Sequence, residues 1–361
     1  MLRSLKIENF RGFQSFELQQ LGRINLLVGE NSSGKSSILE ALYLLRSPGN
    51  PQTLSKIMQL RGEYIWNIDL QTESQLDIAN LFYEREIQLD SRFLLVGNSQ
   101  HNQLETLSVS VVSSDDLHAS TNPSLEAFKG LGLLLEWKPE SVNLELPISF
   151  LGGVSVEGLK YKQPNQKSKL PVVQSLTSSS FSISAMTQLF EKIVLTPEEE
   201  FVNQALQIVD AQIERIAVIR NQGYQSMSSR GGFFVRLSEH AQRVPIGSLG
   251  EGTWHMLGLA LGIACSKNGI LMVDDIDSGL HFSTMRKMWK MIWEIAQKLN
   301  VQVFATTHSQ DCWNSLAELI ESEQIAEDEI SIHRIEKGKN KSIIFDADQI
   351  VIAAERGIEV R

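Results

Sequence analysis

The chain has 361 residues, of which 42% are hydrophobic and 21% are charged, and its formal net charge is −10. The acidic balance excludes a general attraction to nucleic acid or to an anionic membrane, so such a partner would need a local basic patch. Cys265 and Cys312 form neither a disulfide framework nor a metal-binding spacing. The apolar stretch near Leu257–Cys265 is too short to span a membrane, and the start lacks the apolar core of a signal peptide. We therefore expect a soluble, cytoplasmic protein with no membrane partner.

The beginning of the chain predicts a β-hairpin followed by a buried strand. Leu5–Phe10 alternates apolar and polar residues, Arg11-Gly12 turns the chain, and Phe13–Leu18 alternates again. Ile24–Val28 is a continuous apolar run, which is typical of a buried strand. Glu86–Val96 and Leu104–Val112 predict further strands with Gly97-Asn98 between them, and Leu131–Trp137 is another apolar run.

A glycine-rich segment, GENSSGKSS, follows the buried strand. It fits the pattern G-x-x-x-x-G-K-[ST], and a helical pattern from Ser37 to Arg46 comes next, so strand, loop and helix stand in the order of a phosphate-binding loop. The glycines let backbone N–H groups and the helix N-terminus face an anion. Lys35 would reach the β- and γ-phosphates of a nucleotide, and the Ser36 hydroxyl would ligate Mg²⁺. The nucleotide-binding residues predicted here are Gly29, Glu30, Asn31, Ser32, Ser33, Gly34, Lys35, Ser36 and Ser37.

The middle of the chain carries weaker patterns. A lysine cluster, Lys160, Lys162, Lys167 and Lys169, could contact a nucleic-acid backbone, but a solvated loop is the favoured interpretation. The serine-rich stretch Ser175–Ser184 is expected to be exposed.

The clearest predicted helix start lies at Thr196, with Pro197 at the first helical position and Glu199 as the capping-box partner. Apolar residues then recur at helical spacing, at Val202, Leu206, Val209, Ile213 and Ile216. This stripe predicts a helix packed on the core, and a dimer arm is the alternative.

The second half of the chain contains three more motifs. Ser248-Leu-Gly-Glu-Gly252 precedes an apolar helical stretch, Trp254–Cys265. The apolar strand Ile270–Val273 ends in Asp274-Asp275, and after an apolar helix a second strand, Val301–Ala305, ends in the sequence TTHS. Strand, helix and strand in this order predict a parallel pair with its ligand-facing residues at the carboxyl ends.

These strand ends carry the predicted catalytic groups. Asp274 is expected to order Mg²⁺, and Asp275 to orient or deprotonate the attacking water. His308 is placed to sense the γ-phosphate. Adjacent acids can be ordinary turn residues, and a lone histidine is often structural. Their occurrence together with a phosphate loop favours the functional interpretation.

Five segments of the chain together resemble the ABC-type ATPases of the RecF/SMC/OLD group. They are LKIENFRGF, NLLVGENSSGKSSILEAL, SLGEG, ILMVDDIDSGLH and FATTHS. The likeness covers roughly residues 1–95 and 216–361, and it is strongest to the OLD-like branch, whose members act in DNA repair and phage defence. It implies an α/β P-loop NTPase fold: an ABC-type ATPase head with a mixed N-terminal β lobe, a parallel-sheet core and a helical or loop insertion. The expected parts of this single head are 1–150, 151–215 as an insertion that contacts a dimer mate or partner, and 216–361.

The resemblance also implies how two copies bind ATP and Mg²⁺. Lys35, Ser36 and Asp274 of one subunit would face the signature and the D-loop of the other in a head-to-tail homodimer. The signature residues are Ser248, Gly250, Glu251 and Gly252, and the D-loop residues are Ser278 and Gly279. Arg11 is implied near the nucleotide.

The sequence departs from the group in three ways. Asp275 stands where the group usually has glutamate, so the base is one methylene shorter and slow hydrolysis is expected. Gly250 stands where transporters have a serine. About fifty residues follow His308, too few for the Toprim nuclease domain of OLD proteins, so a nuclease would be a separate chain.

The leading hypothesis is an ATP-dependent dimerisation switch that controls a DNA-processing or anti-phage effector, with DNA as a further partner. The alternative is a slow or inactive nucleotide sensor or scaffold that holds a separate toxin or nuclease subunit. A transporter motor is disfavoured by the N-terminal hairpin, and a GTPase by the lack of an N-K-x-D motif.

Overall fold

The computed structural model describes residues 1–65, 74–100, 103–113, 130–161, 172–219, 232–238 and 242–360. The chain divides into two units. Unit 1 consists of Met1–Gln19, Gly34–Leu170 and Glu336–Ser342, and unit 2 of Gln20–Ser33, Pro171–Ile335 and Ile343–Arg361. Each unit is made of separated stretches, whereas the predicted parts 1–150, 151–215 and 216–361 are contiguous. The chain passes from unit 2 into unit 1 inside the glycine-rich loop.

The described residues form the following elements. The strands are β1 (Leu2–Phe10), β2 (Phe13–Leu18), β3 (Ile24–Val28), β4 (Gln75–Asp77), β5 (Arg92–Ser99), β6 (Leu104–Ser113), β7 (Leu131–Lys138), β8 (Val142–Pro147), β9 (Gly153–Ser155), β10 (Val173–Leu176), β11 (Ile213–Val218), β12 (Phe233–Leu237), β13 (Val244–Pro245), β14 (Ile270–Val273), β15 (Gln302–Thr306), β16 (Ile330–Arg334) and β17 (Ile343–Phe345). The helices are α1 (Lys35–Leu45), α2 (Pro51–Leu60), α3 (Val156–Tyr161), α4 (Ile183–Ile193), α5 (Pro197–Val209), α6 (Glu251–Ala264), α7 (Phe282–Leu299), α8 (Gln310–Glu323) and α9 (Ala347–Glu355).

Unit 1 is built on an antiparallel sheet with the strand order β2-β1-β5-β6-β7-β8. The predicted hairpin is confirmed, because β1 pairs with β2 and Phe10 lies opposite Phe13. The predicted strand Glu86–Val96 is displaced along the chain, since β5 begins at Arg92 and continues through Gly97 and Asn98 to Ser99. Gly97 serves packing: a Cβ there would lie 2.7 Å from the Leu2 side chain and 2.9 Å from the Leu45 side chain.

Unit 2 is built on a sheet with the order β10-β14-β15-β3-β16-β17. Its pairs are parallel except for β16 with β17. The predicted pairing of the two apolar strands is confirmed, with Val273 opposite Ala305, and Ala305 opposite Leu26 of β3. The carboxyl ends of β14, β15 and β3 therefore meet at one edge of the sheet.

One face of this sheet packs into the hydrophobic core of unit 2. The core joins strand residues such as Leu26 and Val273 to Trp289 of α7 and Trp313 of α8, and both tryptophans are buried. This apolar face holds the strands rigidly, which fixes the positions of the polar residues at their ends.

The helix predicted after Thr196 begins at Pro197, but its capping box is wrong. The Thr196 hydroxyl donates to the Ile193 carbonyl (2.6 Å), and the Glu199 carboxylate accepts from the Leu195 N–H (2.7 Å). Leu195 has φ +62° and makes a tight turn after α4. The Glu199 carboxylate therefore accepts from the Leu195 N–H and not from the Thr196 N–H that a capping box requires.

The helical stripe is also shorter than predicted, because α5 ends at Val209. Ile213 and Ile216 lie in β11, which pairs with β12 across a β-bulge between Ile213 and Arg215. The bulge buries both isoleucines on one side of the strand, so a strand reproduces a three-residue spacing that helices usually produce.

Two other expectations concern the middle of the chain. In the serine-rich stretch, Ser175 of β10 and Ser180 are half-buried, whereas Ser182 and Ser184 are exposed as expected. Lys162, Lys167, Lys169 and the Lys160 side chain lie outside the described residues, so the role of the lysine cluster stays a prediction.

Candidate nucleotide-binding site

The glycine-rich loop follows β3 and leads into α1. Gly29 has φ +142°, and a Cβ there would lie 2.4 Å from the Ile335 carbonyl oxygen. Gly34 has φ +105°, and a Cβ there would lie 2.4 Å from the Phe13 ring. Both fixed glycines of the motif are therefore required by backbone conformation and by close neighbours. Between them, Glu30, Asn31 and Ser32 are exposed.

The start of α1 is suited to a phosphate. Gly34 is the N-cap and contributes no side-chain hydrogen bond, which leaves the positive end of the helix dipole to an anion. Lys35 is 9% exposed. The Ser33 Oγ is buried and has no hydrogen-bond partner among the described residues. A bound ligand would supply the hydrogen bond that this buried hydroxyl needs. Ser37 is buried, and its Oγ accepts from Arg61 (3.2 Å).

The two predicted acids follow β14 at the carboxyl edge of the unit 2 sheet. The Thr306 hydroxyl, at the end of β15, donates to Asp274 Oδ1 (2.6 Å) and accepts from the Asp275 N–H (2.8 Å). Asp275 has φ +53° and an exposed carboxylate whose Oδ1 lies 3.6 Å from His308 Nδ1. The structure thus brings Asp274, Asp275 and His308 to the same edge of the sheet, and their catalytic roles stay predictions.

Thr307 makes a second link between the two strand ends. Its hydroxyl donates to Asp277 Oδ1 (2.6 Å) and accepts from the Ser309 N–H (3.0 Å). Sequence reasoning missed Thr306, Thr307 and Asp277. The signal was available, because two hydroxyl residues stand directly between a buried strand and the predicted histidine. We call residues 274–277 the acid turn.

The signature residues lie beside the D-loop within unit 2. Ser248 lies in a 3-10 turn, Ile246–Leu249, and Gly250 has φ +95° with no atom within 4 Å of a Cβ built there. The Leu280 side chain lies 3.9 Å from the Cβ position of Gly252. The Glu251 side chain lies 3.5 Å from the Cβ position of Gly279. The Ser278 N–H donates to the Asp275 carbonyl (3.0 Å), so the acid turn leads directly into this surface.

Arg11 is held by carboxylates in unit 1. Its guanidinium pairs with Glu40 of α1 (2.5 Å) and with Glu63 (2.6 Å). Burial raises the pKa of Glu40, and the charges of Arg11 and Arg61 oppose that rise. Contact between Arg11 and a nucleotide stays a prediction.

The residues present fit Mg²⁺ bound through a nucleotide. The described residues contain no group of three or more histidine, cysteine or acidic side chains able to hold a metal ion. Mg²⁺ commonly takes one or two protein oxygens and completes its coordination with phosphates and water. Ser36 of unit 1 and Asp274 of unit 2 are each an oxygen donor of that kind, and their binding of one Mg²⁺ together stays a prediction. In the described part of the chain, no helix is both long and apolar enough to cross a membrane.

Comparisons with known proteins agree with these motifs. A family model described as "AAA ATPase domain" matches residues 1–126. A second, described as an AAA domain and linked by its description to the AbiEii toxin of a type IV TA system, matches residues 154–311. A relative from Helicobacter pylori named "ATP/GTP phosphatase" is 23% identical over 380 residues, 97% of this chain and 99% of that protein.

Two further likenesses are shorter or weaker. The DNA replication and repair protein RecF of Clostridioides difficile is 46% identical over 44 residues, which is 12% of each chain. The solved SMC head domain from Thermotoga maritima is 14% identical, with 96% of this chain and 98% of that chain covered and a TM-score of 0.46.

The fold class can now be stated from the chain's own features. A glycine-rich loop joins a buried strand to an uncapped helix, and paired acids follow a neighbouring parallel strand. ATPase-domain models match both halves of the chain. The chain therefore has the fold of an ABC-type P-loop ATPase head, as its sequence predicts.

Proposed function

We propose that this protein is an ATP-dependent dimerisation switch of the RecF/SMC/OLD group and belongs to its OLD-like branch. The observation that carries the proposal is the way Thr306 bonds to both Asp274 and Asp275 at the end of a buried parallel strand. Open α/β sheets bind ligands at that edge, and an ATPase needs acids there for its metal ion and its water. The name of the Helicobacter pylori relative, ATP/GTP phosphatase, supports the same activity.

The binding roles follow the motifs. The backbone N–H groups of residues 29–34 and the Lys35 ammonium bind the β- and γ-phosphates. Ser36 and Asp274 hold Mg²⁺, which supplies positive charge to the phosphates when it is bound. Because Lys35 is nearly buried, its charge acts in a medium of lower dielectric than water, which strengthens its attraction to phosphate.

The hydrolytic step uses the exposed side of the acid turn. Asp275 orients a water and accepts its proton as the water oxygen bonds to the γ-phosphorus. The bond between that phosphorus and the bridging oxygen breaks, and ADP and phosphate are the products. His308 lies 3.6 Å from Asp275. It senses the γ-phosphate and keeps the Asp275 carboxylate turned toward that phosphate.

Dimerisation completes the site in this proposal. The signature of one copy binds the γ-phosphate held by the other through Ser248, Gly250, Glu251 and Gly252, with Ser278 and Gly279 of the D-loop beside them. Gly250 supports this role, since its surroundings leave room for a ligand to approach the backbone. The closed dimer then engages a separate effector, a DNA-processing or anti-phage protein such as a Toprim-like nuclease, and DNA is a further partner. The names of the RecF relative and of the second family support this setting.

Light scattering and phosphate release, measured with ATP–Mg²⁺ and with ADP, test the proposal. We expect wild type to dimerise with ATP and to release phosphate, and Lys35→Ala to do neither. Lys267→Ala is the matched control, because Lys267 is an exposed lysine paired with Glu198. A wild-type mass that ATP does not change, together with no phosphate release, would overturn the switch.

A nucleotide sensor or scaffold with little turnover is the second candidate, and the short Asp275 side chain favours it. Misplacement of a catalytic group by 1 Å can cost about 100-fold in rate. If the length of Asp275 limits hydrolysis, Asp275→Glu should release phosphate faster than wild type. An unchanged rate in Asp275→Glu would remove the reason for this candidate.

A further inference from the structure

His255 connects the signature helix to the acid turn. It lies in the second turn of α6, three residues after Gly252, and is 7% exposed. Its Nε2 lies 3.1 Å from the carbonyl oxygen of Ile276, the residue directly after Asp275. Because a carbonyl can only accept, the Nε2–H of His255 donates this bond.

The imidazole ring is held in place from its other side. Phe181 stacks on it with ring centroids 4.2 Å apart and an interplanar angle of 17°. Phe181 is itself fixed, since its carbonyl accepts from Trp254 Nε1 (3.0 Å). A Cβ on Gly258 would lie 2.4 Å from the Phe181 ring, so the two are in close contact. The ring of His255 therefore has little freedom to turn away from Ile276.

Burial keeps this ring neutral and able to donate. Burial lowers the pKa of His255, and the hydrogen bond to the Ile276 carbonyl and the charges of Asp277 and Glu251 oppose the shift. The neutral ring carries one N–H, and the bond to Ile276 assigns it to Nε2.

The bond from His255 reaches the acid turn from a different direction than the others described above. Thr306 and Thr307 tie the turn to the end of β15, and the Ile276 N–H donates to the Thr306 carbonyl (3.0 Å). His255 ties the same turn to α6, whose first two residues, Glu251 and Gly252, belong to the signature. The helix that begins in the signature is thus connected to the backbone beside Asp275 through a buried ring.

We propose that His255 is a positioning residue that couples the two ATP sites of the dimer. This inference rests on the proposed function. In the proposed dimer, a subunit's signature faces the partner's nucleotide while its acids act on its own. His255 connects these two parts, so nucleotide at one site changes the position of the acids at the other. Hydrolysis then depends cooperatively on ATP concentration.

The test compares two substitutions of His255 by the dependence of phosphate release on ATP concentration. His255→Phe keeps an aromatic ring against Phe181 and removes the donor, whereas His255→Gln keeps an N–H at a similar reach and removes the ring. We expect a Hill coefficient clearly above 1 and at most about 2 for wild type and for His255→Gln, since the dimer has two sites. For His255→Phe we expect a value of about 1 and a kcat lower by about threefold to tenfold, the size of one hydrogen bond. The Kd for ATP should stay within about twofold.

Thr253→Val is the matched control. It removes a hydroxyl bond to the Leu249 carbonyl (3.1 Å) at the same end of α6 and keeps the His255 donor to Ile276, so it should keep the wild-type Hill coefficient. Urea unfolding of each variant measures any general destabilisation.

Three results would overturn the proposal. The first is a wild-type Hill coefficient of 1, and the second is an unchanged Hill coefficient and kcat in His255→Phe. The third is an equal loss in His255→Phe, His255→Gln and Thr253→Val that follows their unfolding free energies. If the wild-type protein neither hydrolyses ATP nor dimerises, the proposed function is wrong, and the coupling is wrong with it. If the wild-type protein does both and His255→Phe has the wild-type Hill coefficient and kcat, only the coupling is wrong.

Discussion

Replacing Thr306 by valine tests how far the acid turn depends on one hydroxyl. That hydroxyl donates to Asp274 and accepts from the Asp275 N–H, so valine removes two bonds and leaves a backbone donor unpaired. A hydrogen bond to a charged group contributes about 1.5–3 kcal/mol. If most of this is lost in the transition state, kcat falls about 10- to 100-fold, at 1.4 kcal/mol for each factor of ten.

Phosphate release under saturating ATP measures the fall in kcat, and equilibrium binding measures nucleotide affinity. We expect Thr306→Val to bind ATP without Mg²⁺ nearly as wild type does, because the phosphate loop is untouched. We expect its free energy of unfolding to be lower by about 1–3 kcal/mol. Thr306→Ser is the matched control, since it keeps the hydroxyl and loses one methyl group.

The reasoning is refuted if Thr306→Val hydrolyses ATP within twofold of the wild-type rate. It is also refuted if Thr306→Ser loses as much activity as Thr306→Val. The methyl group, and not the hydroxyl, would then be what the acid turn requires.

Three other predictions concern single residues. Burial lowers the pKa of His333 to about 3. Below pH 6.5 the His333 imidazole therefore binds a proton in the unfolded chain but not in the folded chain. The free energy of unfolding should fall by about 1.4 kcal/mol per pH unit from pH 6.5 down to about pH 3. Urea unfolding at pH 7 and pH 5 measures this, and His333→Gln should show a smaller difference between the two; an equal difference would contradict the assignment. Leu195 is 87% exposed with φ +62°, so Leu195→Gly should raise stability by about 1 kcal/mol in thermal unfolding, whereas Leu195→Ala, still strained, should not. Gly34→Ala should abolish ATP binding and cost at least about 1 kcal/mol, while Gly12→Ala, with no atom within 4 Å of its Cβ, should bind ATP normally in the same titration.

Much of the candidate site could be predicted because its signals are local. The phosphate loop is one contiguous segment whose glycines are required by backbone conformation. The acids and His308 each follow directly on an apolar run, and a buried strand in a parallel sheet is recognisable from such a run. Periodicity alone likewise predicted the hairpin of β1 and β2.

Other features depended on which segments meet in space. The three-residue spacing of Ile213 and Ile216 suits a helix, and only pairing with β12 showed that a bulged strand produces it. The capping box at Thr196 failed because the strained Leu195 presents its N–H to Glu199 first.

The sequence by itself determined the phosphate loop, the apolar strands and the polar residues at their ends, since neighbouring residues set local backbone conformation. Only the tertiary structure decided that Thr306 holds Asp274, that Thr307 holds Asp277, and that His255 reaches Ile276. These partners are 32, 30 and 21 residues apart. Hydrogen bonds act over about 3 Å, so pairing across such separations exists only after the sheet order and the packing of α6 have brought the strand ends together.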